Sequence, residues 1–301
     1  MISRLITFGL LYLMTLSGQA QIMVNRNFDI NPLQEKTDKD KRIFGNTFFG
    51  AEVGHGFFSA EEEQTWNIKY QGFIEFYRWN NKAVVGLHLA HELNSNPYNE
   101  IYFNPRGAIW NESLVYHHKL NNATLQLGAN HRCRHNIDNA DPPRQDISRY
   151  EYEPQSRVLV LTSLFAGYLS DPIELASDWQ LRYFGRADAY LYTEDARRPR
   201  ENQEGTWENM QASSFGGFSL EYTFADQWQC YSRNHLNYVL FADYPNQINY
   251  RAEAGVSVLG DASRTSLFVA YERFFDDVNR PFPMESNVLF IGLRATPSGF
   301  F

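Results

Sequence analysis

The densest chemistry in the chain stands at every second position of one short stretch: His131, Cys133 and His135, followed by Asn136 and Asp138. A thiol beside an imidazole, with a carboxylate to orient the ring, is the nucleophile–base–orienter logic of acyl transfer. Cys133 would attack, His131 would take its proton, and Glu112 or an acid of the following stretch such as Asp138 would hold the imidazole. A second chemistry is a transition metal on His131, His135 and Asp138, with Cys133 as a further ligand. Alternate residues of an extended chain lie about 6.6 Å apart, so one ion reaches all three only across a bulge, which weighs against metal. The bland reading is a strand end, where His, Arg and Asn meet lipid headgroups.

A strand pair must position these groups. Asn111 to Asp138 is two alternating runs around Asn121-Asn122, and asparagines suit the positive-φ positions of a tight turn. With Leu120 opposite Ala123, one face collects Leu114, Tyr116, Leu125, Leu127 and Ala129. The other collects Asn111, Ser113, His117, Gln126, Gly128, Asn130 and Arg132. The same register sets Glu112 against His131. His131, Cys133 and His135 continue the apolar face, while Arg132 and Arg134 continue the polar one.

Period two persists almost everywhere after Arg42. Strands are expected near 43–57, 66–79, 83–92, the two arms of the hairpin, 157–168, 179–192, 213–224, 228–240, 248–259, 265–275 and 287–295. That is about 12 strands of roughly 10 to 14 residues, and short connections alternate with long ones. The pattern predicts a closed antiparallel transmembrane β-barrel, an all-β fold with short periplasmic turns and long external loops. Trp66, Trp79, Trp110, Trp179, Tyr192 and Trp228 near strand ends suit aromatic girdles. A secreted sandwich or lipocalin-like barrel would invert the faces and use shorter strands. The lumenal face would carry Lys69, Glu75, His88, Glu92, Arg182, Arg186, Asp188, Arg251, Glu253, Glu272 and Arg294. Both signs are present on large side chains, so the lumen reads as a salt-bridged core rather than an open pore. His88 and Glu92 read as a hydrogen-bonded pair on that face.

Composition bounds the rest. The chain has 301 residues, a net charge of −8 and no basic stripe with interleaved aromatics, which argues against nucleic acid. After the first 20 residues no apolar run reaches the ~18 residues of a transmembrane helix. Residues 1–20 read as a signal peptide: Arg4, then an apolar Leu5 to Leu16, then Gly18-Gln19-Ala20 before the cleavage point. Residues 21–41 read as a mobile polar periplasmic tail, and 42–301 as the barrel. Cys133 and Cys230 fall near opposite ends of this map, so two free thiols are expected.

Two resemblances rest on the rim residues. His131-Arg132-Cys133 resembles the His-x-Ser pair on the outward face of a strand in outer-membrane phospholipases and lipid A deacylases, with Cys133 in place of Ser and Arg134 in place of the usual Asn. The stretch HRCRHNID resembles the H-x-S-x-H-x-G-D motif of a bacterial outer-membrane barrel family of unknown function. His131, His135 and Asp138 match it, while Cys133 stands for Ser and Ile137 for Gly. These resemblances imply the bacterial outer membrane, with outer-membrane lipids and the barrel-assembly machinery as partners. The expected function is structural, binding or transport, and the alternative is an outer-leaflet lipid acyl hydrolase. No cofactor is expected, except Ca²⁺ if the chain hydrolyses lipid. The acidic stretch 137–156 offers carboxylates without an EF-hand pattern and reads as a solvated loop.

Overall fold

The computed structural model describes residues 30–34, 41–57, 66–95, 105–136, 158–196, 209–242, 245–261, 263–274 and 286–297. Twelve long strands account for most of them: β1 (Thr47–Phe57), β2 (Trp66–Trp79), β3 (Ala83–Ser95), β4 (Pro105–Lys119), β5 (Ala123–Asn136) and β6 (Val158–Ser170), then β7 (Trp179–Ala196), β8 (Met210–Ala225), β9 (Trp228–Phe241), β10 (Gln247–Leu259), β11 (Ser263–Phe274) and β12 (Ser286–Pro297). Each pairs antiparallel with its neighbour in sequence, and β1 pairs with both β2 and β12. The result is a closed barrel with no free edge. Two short strands are added at the turn-bearing end. Lys41–Ile43 pairs with the end of β2, and Ile173–Ala176 folds back on the start of β7, where the sequence suggested only a connection.

Alternation decides which residues go where. Leu120 donates its N–H to the Ala123 carbonyl at 2.8 Å, and Lys119 lies opposite Thr124. Asn111, Ser113, His117, Gln126, Asn130, Arg132 and Arg134 are therefore buried in the lumen. Leu114 and Leu127 point outward. The wall repeats this all round: Val53, Leu164, Phe218, Leu236, Val256, Leu267, Val269, Ile291 and Leu293 form an exposed apolar band. Aromatic clusters flank it. Trp79 meets Tyr77 and Tyr116 at the turn-bearing end, and Trp179 and Trp228 stand there with Tyr222 and Phe224. His55 meets Trp66, and His91 meets Trp110, toward the other end. A band of this extent would be a liability in water and is the required surface in hydrocarbon.

Inward glycines let rings lie flat on the wall. A Cβ on Gly86 would stand 2.4 Å from the Phe73 ring, and one on Gly128 would stand 2.7 Å from the Phe165 ring. Each aromatic side chain covers the gap left by the glycine of a neighbouring strand.

The lumen is filled. Glu253 accepts from Arg251, from both terminal nitrogens of Arg294 (2.6 and 2.7 Å) and from the Tyr231 hydroxyl (2.8 Å). Arg251 also meets Glu272 and Glu52, and Arg294 Nε donates to Glu52 at 2.8 Å. Lys69 lies between Glu52 and Glu92 at 3.6 and 3.9 Å. Arg264 donates to Glu221 at 3.0 Å, with Arg182 at 3.9 Å from the same carboxylate. Arg186 is paired with Asp188 and stacked 3.5 Å over Phe165. A bulge between Glu75 and Tyr77 turns Arg78 to the same side as Glu75, and the two form a fully buried ion pair.

Two expectations are corrected. His88 does not pair with Glu92, which instead accepts from Asn67 Nδ2 at 2.6 Å. Four residues along a strand separate two side chains on one face by about 13 Å, beyond hydrogen-bond reach. The stretch 21–41 is not a free tail throughout. Ile30, Asn31, Pro32 and Leu33 are buried, and Ile30 and Leu33 join Phe48, Phe73 and Val84 in one apolar cluster inside the turn-bearing end of the barrel. Asn31 and Thr124 hydrogen bond through their side chains, and Arg78 Nη2 donates to the Pro32 carbonyl at 2.8 Å. Residues 1–29 lie outside the described residues.

Candidate functional site

The rim cluster is carried by three neighbouring strands. Pairing sets Glu112 of β4 opposite His131 of β5, Trp110 opposite Cys133, and Ala108 opposite His135. On the other side His131 faces Thr162 of β6, and Cys133 faces Val160. Glu112 and His131 are exposed on the outer wall, while Cys133 and His135 are half-buried. Asp138 lies outside the described residues.

The contacts are selective. His131 Nδ1 stands 3.3 Å from the Thr162 hydroxyl. Among the described residues no hydrogen bond joins Cys133 to His131 or to Glu112. Side chains two apart on a strand start about 6.6 Å from each other, so register alone does not bring thiol and imidazole into contact. Strand pairing does bring Glu112, His131 and Thr162 into one row on the lipid-facing wall. Cys133 and Cys230 are both free thiols. Among the described residues no group of three His, Cys, Asp or Glu converges as a metal site.

Apart from His88, the lumenal residues read from the sequence are brought together in pairs and larger groups, but their partners were only partly foreseen. Glu52, Arg78, Glu221 and Arg264 were missed, as was Thr162 beside His131. Parity carried a signal for Glu52, a lone acid two residues from both Gly50 and Gly54 on the inward side of β1. Arg78 carried none, because the bulge that turns it inward breaks the period of two.

The apolar outer band, the two aromatic belts and the ion-paired interior together define a β-barrel of the membrane type. No protein-family model matches the chain, and no curated protein matches it in sequence. Solved structures similar in outline include outer membrane phospholipase A from Escherichia coli (12% identity over 83% of this chain and 92% of that one, TM-score 0.45). They also include the CymD monoaromatic hydrocarbon channel (10% identity, 94% and 98% covered, TM-score 0.43). A third is the Pseudomonas putida toluene transporter TodX (9% identity, 94% and 95% covered, TM-score 0.41). At such values they say nothing of this chain's activity.

Proposed function

We propose that the chain is a bacterial outer-membrane β-barrel of binding or structural type, with its lumen shut in the resting state rather than open as a diffusion pore. The observation that carries this is the filled interior. Arg251 and Arg294 bridge β12, β10 and β1 through Glu52 and Glu253, and the buried segment Ile30–Leu33 packs against β1, β2 and β3 at the turn-bearing end. A conducting barrel needs a continuous wetted path along its axis. The lipids of the outer membrane and the barrel-assembly machinery are the partners this reading entails. The test is conductance in a planar bilayer. The purified full-length chain should insert without steady current steps, and an ohmic conductance in every insertion would refute the reading.

A second reading is favoured by one observation, the row Glu112–His131–Thr162 with Cys133 beside it on the membrane-facing wall. Polar groups on that surface carry a cost and mark function. In this reading the Cys133 thiol attacks a lipid ester carbonyl, and its proton passes through His131 to the departing alcohol. Water then hydrolyses the thioester. Fatty-acid release from phospholipid or lipid A, with and without Ca²⁺, should be lost in Cys133→Ala. Equal release by both proteins, or none by the wild type, would remove it.

A further inference from the structure

The interior holds groups that the ion-pair network does not use. A small cavity is lined by Ile30, Phe73, His88, Ser113, Val115, His117, Gln126, Phe165 and Arg186. His88 and His117 are almost wholly buried, at 4% and 1% exposure. Both ring nitrogens of His117 and Nε2 of His88 have no hydrogen-bond partner. Groups of this kind are normally satisfied, because a buried polar atom without a hydrogen bond has lost its water and gained nothing in return. The remaining space holds about one water molecule. What fills the rest is the chain's own N-terminal segment, with Ile30 forming part of the cavity lining.

We propose that this cavity is a binding site for a small neutral hydroxyl-bearing aromatic molecule, a phenol-like ligand, and that Ile30–Leu33 is the displaceable plug that holds its place. The proposal deepens the reading of a shut binding barrel and rests on it. Three features set the ligand class. A neutral imidazole presents one donor and one acceptor nitrogen, and a hydroxyl is the small group that answers both. Phe73, Phe165, Val115 and the plug side supply apolar and aromatic walls for a flat body; Phe73 and His117 already meet edge to face, with centroids 5.3 Å apart. The one charged group of the lining, Arg186, is matched by Asp188, which also accepts from Ser163 at 2.9 Å, so the site carries no free charge for an ionic ligand.

The plug is fastened in a way that allows exchange. Among the described residues its ties to the wall are Asn31 to Thr124 and the Pro32 carbonyl to Arg78, beside a single backbone bridge at Ile30. The remainder is apolar contact of Ile30 and Leu33 with Phe48, Phe73 and Val84. The wall behind it does not depend on it, because Arg78 keeps Glu75 and the Asn46 N–H also donates to Glu75 at 2.9 Å.

The test is equilibrium dialysis of 1-naphthol against the full chain in detergent micelles, with folding checked for every variant by heat-modifiable gel mobility. The double variant Ile30→Gly/Leu33→Gly loosens the plug and should bind at least about tenfold more tightly than the wild type, the equivalent of ~1.4 kcal/mol. In that background His117→Phe fills the cavity and His88→Leu removes an orphaned nitrogen. Each folded variant should lose binding by about tenfold or more. No naphthol binding to the loosened chain, or binding unchanged by both histidine variants, as partition into the micelle or outer wall would give, overturns the proposal. Conductance of the same wild-type preparation is read separately. A silent barrel that binds no naphthol sinks the ligand site alone, whereas steady current from the wild type sinks the shut-barrel reading first.

Discussion

Glu253→Leu is the most informative single change to the barrel interior. The Glu253 side chain is fully buried and takes donors from Arg251, Arg294 and the Tyr231 hydroxyl. Arg233 lies opposite it on β9 and is itself buried. Removing the carboxylate leaves Arg294 with Glu52, and Arg251 with Glu52 and Glu272. Stranding one member of a buried ion pair costs about 3–5 kcal/mol. With an unfolding slope of about 2 kcal/mol per M urea, the midpoint should fall by roughly 2 M. The assay is urea unfolding in vesicles, followed by heat-modifiable mobility and tryptophan emission. Adding Arg294→Met removes one of the stranded cations, so the double variant should be more stable than the sum of the single changes by about 1–3 kcal/mol. Because the pairs are buried, raising the salt to 1 M should leave both differences nearly unchanged. A single-variant loss below about 1 kcal/mol, or strict additivity, would refute the claim that the network braces the wall.

Other outcomes follow from the same geometry. Gly128→Val sets a Cβ 2.3 Å from the Leu114 carbonyl and against the Phe165 ring, and should cost about 1–3 kcal/mol by the same urea assay. Gly185→Ala, whose nearest atom is 3.9 Å away, should sit within about 0.5 kcal/mol of wild type. The two free thiols lie near opposite ends of their strands, so a membrane-impermeant maleimide should label Cys133 on intact cells and Cys230 only after the outer membrane is opened. Labelling of Cys230 first would reverse the proposed orientation.

The wall was legible in the sequence because one rule, alternation, governs it. β2 begins at Trp66 and ends at Trp79, as its pattern indicated, since polar and apolar residues alternate cleanly there until the bulge. The β4–β5 register followed from placing the turn at Asn121-Asn122, although neither residue takes the positive φ expected of it, and Glu112 against His131 followed from the register. Several strands run further outward than read; β3 continues to Ser95 and β7 to Ala196. Strand pairing persists above the membrane band, where neither face needs to be apolar and the alternation fades. The segment Ile30–Leu33 was unreadable because four residues show no period, and their burial depends on Thr124 and Arg78, distant in the chain. The same holds for Glu221 and Arg264, joined across 43 positions. Alternation tells which side of the wall a residue occupies and is silent on what meets it across the lumen.

Depth along the wall decides how much the rim cluster can mean. Glu112 stands two residues below Trp110, whose ring packs on His91 in the outer aromatic belt. Two residues rise about 6.8 Å along a strand, and a tilt of 35–45° reduces this to roughly 5 Å of depth. The carboxylate, and His131 opposite it, therefore lie just inside the outer boundary of the apolar band, near the level of lipid ester groups. At that depth a charge costs about 0–1 kcal/mol, against about 2–4 for a basic residue at the midplane. Glu112→Leu should then change stability by less than about 1 kcal/mol, whereas Leu127→Lys, four residues before His131 on β5 and 43% exposed, should cost about 2–4. A gain of more than about 2 kcal/mol in Glu112→Leu would place the carboxylate deep in hydrocarbon. Its retention there would need a function, and the hydrolase reading would gain over the shut barrel as the explanation of this wall.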